Sequence, residues 1–192
     1  RTQPGLLKML VLYPEIDDSN ILEKIKKLNI VPVSISYEYD PCDVYKTNEL
    51  YVKSKGESYI KSKKDDIKNM ISGLSGNKGN VHLSIGKPIN NELSKLKGPQ
   101  TINELIKNVA ELIDKEIHKN YKIFPTNYIA FDMLNETSNY LNVEYTKYER
   151  DIFIRYMNSR LSIINNDDSE ELKKIFLGMY AIPLKNKLNY IS

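Results

Sequence analysis

The sequence predicts an α/β portion with few strands and an incomplete sheet, followed by an all-helical portion. Two β-branched runs of period two, at 30–37 and 81–89, fall in the first half of the 192 residues. Four segments of helical spacing follow residue 100. Two strands alone do not make a stable buried sheet, so the remaining strands are either missing from this chain or supplied by a partner.

QPGLLKMLVLY (3–13) reads as a short helix, and Ser19 as the N-cap of a second, with Ile21, Leu22, Ile25 and Leu28 on one face. The run IVPVSISYEYDP (30–41) reads as a strand with Pro32 inside it and Glu38 and Asp40 closing it. Alternation sets Val31, Val33, Ile35 and Tyr37 on one face, expected to be core. Pro32, Ser34, Ser36 and Glu38 take the other face, which is smaller and more polar and suits the wall of a cleft. A proline is tolerated at a strand's start or edge, where its missing N–H costs no ladder bond.

Residues 43–74 turn helical and basic, with Ile60, Ile67, Met70, Ile71 and Leu74 at roughly heptad-like spacing. GLSGNKGN (73–80) breaks that pattern as a turn. VHLSIGKPI (81–89) follows as the second strand, with Val81, Leu83 and Ile85 expected inward, stopped by Gly86 and Pro88. Past LKGPQ (96–100), Thr101 and Glu104 form a capping box for a helix to about Lys119. Further helices are expected from Pro125 to about Leu141, from about Val143 to Ile164, and from Ser169 to about Ala181. The domain division that follows is 1–95 and 100–192.

Composition narrows the function classes. A net charge of +3 gives little bulk attraction for nucleic acid. Cys42 is the single cysteine, which excludes a disulfide framework and a thiolate metal cluster, and fits a reducing, cytoplasmic compartment. No run approaches the length of a membrane span. Between 46 and 78 stand eight lysines against four carboxylates. They form either a solvated face or a surface drawn to anionic lipid headgroups or to the phosphates of an acyl carrier. His82 reads as a half-exposed strand histidine, and His118 as a helix C-terminal residue that favours the dipole.

An apolar segment and a helix, then Val31-Pro32-Val33 opening a strand, then VHLSIGKPI, is an order that resembles the later blocks of glycerolipid acyltransferases. ELIDKEIHKNYKIFPTNYIAFDML (111–134) and MYAIPLKNKL (179–188) are similar to the helical extension of a bacterial branch of those enzymes. The resemblance spans nearly the whole chain. It implies the C-terminal part of an acyltransferase α/β domain at 1–95 and a helical extension at 100–192. It also implies a membrane-associated enzyme of phospholipid biosynthesis. Such an enzyme moves an acyl group from acyl-CoA or acyl carrier protein to the hydroxyl of a glycerol phosphate or lysophospholipid. No metal or cofactor beyond the thioester is then required, and the location is cytoplasmic or peripheral on the inner face of the membrane.

The family's catalytic base lies in a His-x-x-x-x-Asp block, in which the His deprotonates the acceptor hydroxyl and the Asp orients it. Five residues after His82 stands Lys87, and five after His118 stands Ile123, so no catalytic residue is assigned. The chain is expected to begin after that block and to be inactive alone. Pro32, Ser34, Ser36 and Glu38 are the expected substrate-binding residues: the first three line the acceptor side of a crevice at the carboxyl ends of strands, with Glu38 and Asp40 at its rim. The reading from another class is a non-catalytic helical interaction module.

Overall fold

The computed structural model describes residues 2–11, 21–60, 62–96 and 101–191. The chain is mostly helical, with one small antiparallel sheet of two strands. The Ser19 cap and the break at 97–100 lie outside the described residues. Residues cluster into two compact units that interleave along the sequence. The first comprises Arg1–Ile35, Leu83–Tyr121 and Tyr190–Ser192; the second comprises Ser36–His82 and Lys122–Asn189.

In the first unit, helices α1 (Pro4–Val11), α2 (Ile21–Lys27), α5 (Asn90–Leu93) and α6 (Ile102–Asn120) share a core. Leu7, Ile25, Ile89, Leu93, Ile106 and Val109 are buried there together. Helix α6 supplies the longest stripe, because Leu105, Ile106, Val109, Ala110 and Ile113 recur at helical spacing. It starts as its capping box requires: the Thr101 hydroxyl accepts the Glu104 amide, and the Glu104 carboxylate accepts the Thr101 amide at 2.9 Å. The Asp114 carboxylate accepts the amide and hydroxyl of Thr2, both at 2.7 Å.

In the second unit, α3 (Asp43–Ser54), α4 (Lys63–Ser75), α7 (Pro125–Leu134), α8 (Lys147–Leu161) and α9 (Ser169–Ile191) as far as Asn189 assemble. The core is aromatic. Phe153 and Phe176 are fully buried, and Tyr180 stacks on Phe176 with ring centroids 4.9 Å apart. Helix α7 stops at Leu134, seven residues short of the expected end. The Asp132 side chain accepts the amides of Asn139 and Tyr140, which turns the chain out of the helix. Helix α9 runs on through Pro183 instead of ending near Ala181. Ala181 and Leu184 are buried on either side of the proline, so packing offsets the missing amide bond.

Strand β1 (Val33–Tyr37) pairs with β2 (Val81–Ile85), and among the described residues neither has a second strand neighbour. The Gly86 amide bonds the Pro32 carbonyl at 2.8 Å, and the Glu38 amide bonds the Asn80 carbonyl at 3.0 Å. This register sets Val33 opposite Ile85, Ile35 opposite Leu83, and Tyr37 opposite Val81. Positions 33–35 and 83–85 belong to the first unit, and 36–37 and 81–82 to the second.

The faces of β1 are the reverse of the expectation, and Val81, Leu83 and Ile85 of β2, expected inward, are exposed too. Val33 and Ile35 are 46% and 49% exposed, and their partners Ile85 and Leu83 are 71% and 58% exposed. Val31 and Tyr37 are exposed as well. Pro32, Ser34 and Ser36 are the buried set. Small side chains let that face approach neighbouring backbone closely, as when Ser36 Oγ accepts the Lys122 amide at 2.9 Å. An aliphatic side chain could not answer that amide. None of the described helices is long and apolar enough to cross a membrane.

Candidate functional site

The four residues expected to bind substrate have separate local roles. Pro32 stands just before the first residue of β1, where it needs no ladder amide, and gives its carbonyl to Gly86. Ser34 is 3% exposed, and its hydroxyl has no hydrogen-bond partner. Ser36 is spent on the Lys122 amide. The Glu38 carboxylate accepts both the amide and the side-chain amide of Asn80, at 2.9 and 2.7 Å, and its carbonyl accepts the Thr126 hydroxyl. Glu38 thus fastens the strand end. Gly79, with φ of 59°, completes that turn; a Cβ there would meet the Glu38 carboxylate at 2.7 Å.

Past the strand, in the second unit, lies a buried polar cluster that the sequence pattern does not reveal. Asp43 opens α3 and is fully buried. Its Oδ1 accepts Arg160 Nε and Nη2, both at 2.7 Å. Its Oδ2 accepts the hydroxyls of Tyr156, at 2.6 Å, and Tyr180, at 3.1 Å. The Tyr180 oxygen in turn accepts the Asp40 amide at 3.0 Å. Both lone-pair regions of the carboxylate are filled, which is what a buried charge requires. Burial, and then the bond to Asp43, pushes the Tyr156 phenol far up; burial and the charge of Asp43 do the same to Tyr180. Burial opposes the Arg160 charge, but the Asp43 bond outweighs it and raises its pKa. With both carboxylate oxygens engaged by two phenols and a guanidinium, the cluster ties α3 to the helices that carry Tyr156, Arg160 and Tyr180. No local pattern could have flagged it, since Asp43 and Arg160 are 117 positions apart.

Outside this cluster, Asp40 and Lys46 form an exposed ion pair at one end of a crevice in the same unit. Leu50, Met179 and Ile182 continue it into a larger apolar cavity of about 630 Å³ lined by Phe131, Leu134 and Leu188, with Lys185 also at its wall. Its size suits a small ligand and its lining an apolar one.

The remaining candidates are ordinary. Cys42 gives its thiol to the Asn69 carbonyl at 3.4 Å, and burial, then the Asp40 charge, pushes that thiol up, away from nucleophilic use. His82 is exposed on β2. His118 stacks on Tyr190 with centroids 5.0 Å apart, and burial lowers its pKa. Among the described residues no three His, Cys, Asp or Glu side chains gather as metal ligands. No family model, curated protein or solved structure matches the chain.

Proposed function

We propose that this chain is part of a glycerolipid acyltransferase, transferring an acyl group from acyl-CoA or acyl carrier protein to a glycerol phosphate or lysophospholipid hydroxyl. One observation carries the reading. Two of the segments that bear the resemblance, around Val31-Pro32-Val33 and VHLSIGKPI, lie side by side as β1 and β2 with an apolar face exposed. A two-stranded ladder that exposes Val33, Ile35, Leu83 and Ile85 has the character of one end of a larger sheet.

In that reading the base that activates the acceptor hydroxyl lies outside these 192 residues, because neither histidine begins a His-x-x-x-x-Asp block. The purified chain is expected to transfer no acyl group from acyl-CoA to glycerol 3-phosphate or lysophosphatidate. The reading frame upstream of Arg1 is expected to encode His-x-x-x-x-Asp. Acyl transfer by the isolated chain, or an upstream frame lacking the block, overturns the proposal.

Of the four expected substrate-binding residues, Ser34 alone combines burial with an unmet hydroxyl. Ser34→Ala is expected to leave the urea midpoint of this chain unchanged or slightly raised, because it removes a polar atom that nothing answers. In the complete enzyme it should raise the acceptor KM. A loss of stability above about 1 kcal/mol in this chain would show that the hydroxyl is already bonded and has nothing to offer a substrate.

A further inference from the structure

Helix α4 is amphipathic in the opposite sense to a core helix. Ile67, Met70, Ile71 and Leu74 recur at i, i+3, i+4 and i+7, the spacing of a buried stripe. They are 54%, 61%, 55% and 77% exposed, and no residue of α4 is buried. The side turned toward its own unit carries shorter side chains, at Asn69, Ser72 and Gly73. The Asn69 carbonyl receives the Cys42 thiol, and a Cβ on Gly73 would stand 3.8 Å from Cys42 Sγ. The unit therefore grips α4 by its small side and leaves its large apolar side chains outward.

The charges around the stripe are ordered. On a helix of 3.6 residues per turn, Lys63 precedes Ile67 by one turn on the stripe's own line, and Lys64 and Lys68 run along one flank. All three are exposed. Asp66 takes the other flank. Asp65 lies away from the stripe and is tied to Ser62 in the capping box. Ile60, 85% exposed, stands just ahead of the helix. Apolar side chains bordered by long cationic ones, whose stems lie along apolar surface while their heads reach outward, match the cross-section of a lipid interface. Thirteen residues at 1.5 Å each are too few to span a bilayer but enough to lie along one.

We propose that α4 is an interfacial helix that seats Ile67, Met70, Ile71 and Leu74 among the acyl chains of an anionic lipid surface, with Lys63, Lys64 and Lys68 at its phosphates. The proposal rests on α4 alone. Its test contains no thioester and no acceptor, so it and the acyl-transfer reading fail separately.

The sequence contains no tryptophan, so Met70→Trp places a single indole in the stripe of the full chain. With vesicles of phosphatidylcholine carrying roughly 30% phosphatidylglycerol, its emission is expected to shift to the blue and to be quenched by brominated acyl chains. Pure phosphatidylcholine should give a much weaker response. Each lysine near such a surface contributes about fivefold in partitioning, so K63Q/K64Q/K68Q should weaken binding by about a hundredfold at low salt. Flotation of the unmodified chain and of Leu74→Asn with the same vesicles repeats the test without the indole, and the asparagine variant should stay with the unbound fraction. Emission already blue without lipid means that protein covers the stripe, and a concentration-dependent rise in mass that Leu74→Asn abolishes means that a second copy does. Either result, or no response to anionic vesicles, overturns the proposal.

Discussion

Asp43→Ala is expected to destabilise the second unit by about 3–5 kcal/mol, the range for removing one member of a buried ion pair. The carboxylate is fully buried, while the Arg160 side chain retains 27% of its exposure. That residual access to water places the expectation near the lower end. The variant removes the acceptor of a guanidinium and of two phenol hydroxyls. Asp43→Asn keeps the shape but loses the charge, and should fall between alanine and the parent. Replacing both partners, Asp43→Leu with Arg160→Met, should recover much of the loss, because no uncompensated charge remains. Urea unfolding followed by tyrosine fluorescence and circular dichroism measures all three. A loss below about 1 kcal/mol for Asp43→Ala would show the cluster to be open to water.

The same cluster sets an alkaline limit. Tyr156 and Tyr180 have folded pKa values raised above the ordinary phenol value of about 10. A group so raised contributes stability that is complete below the unfolded pKa and lost as pH rises toward the folded one. Stability of the second unit should therefore begin to fall above about pH 10, and Asp43→Ala should flatten that fall.

The second large effect is expected at Asp132, which is 1% exposed. It accepts the Thr137 hydroxyl at 2.7 Å, the Asn139 amide at 3.2 Å, and the Tyr140 amide and Tyr145 hydroxyl at 2.9 Å. Asp132→Ala removes all four acceptor contacts from the turn that ends α7, at a cost of about 3 kcal/mol. Burial alone would raise its pKa, but bonds from Thr137, Tyr140, Tyr145 and Asn139 outweigh burial and hold the carboxyl below its ordinary value. A depressed carboxyl contributes stability that is present above the unfolded value of about 3.9 and lost as pH falls through the folded pKa. Acid unfolding below about pH 4 should thus be less steep in Asp132→Ala than in the parent. Tyr145, pushed up to about 12 by burial and then by its bond to Asp132, should return toward 10 in the same variant. Spectrophotometric titration of the tyrosines reads that change, and an unaltered profile would show that the bond does not hold the phenol.

Much of the chain's local order was legible. The Thr101–Glu104 box opens α6 as expected, and an equivalent pair, Thr146 and Glu149, opens α8. The second box places that start at Lys147, four residues after the Val143 that helical periodicity alone suggested. Both strands fall within their β-branched runs, and Pro125 starts α7. The end of α7 was not legible, because a single buried aspartate decides it through residues up to eight positions further along. The course of α9 through Pro183 was hidden for a related reason: a proline reads as a stop unless packing on both sides is known.

The candidate site was the less legible part. The small face of β1 shows in the sequence, but not that Ser36 is tied to a backbone amide 86 positions away while the Ser34 hydroxyl is unpartnered. The Asp43 cluster leaves no mark in the sequence because its members are scattered across α3, α8 and α9.

By itself the sequence determined where helices and strands begin, through caps and through periods of 2 and 3.6, which depend on neighbours a few residues apart. It also determined that β1 has one aliphatic face and one small polar face, and that α4 has an apolar stripe. Only the tertiary structure decided which of those faces turned inward: the small face of β1 and the small side of α4. Periodicity specifies that two faces differ, but which of them is buried depends on the shape and hydrogen-bonding needs of whatever packs against them. For β1 the answer came from the Lys122 amide, and for α4 from Cys42.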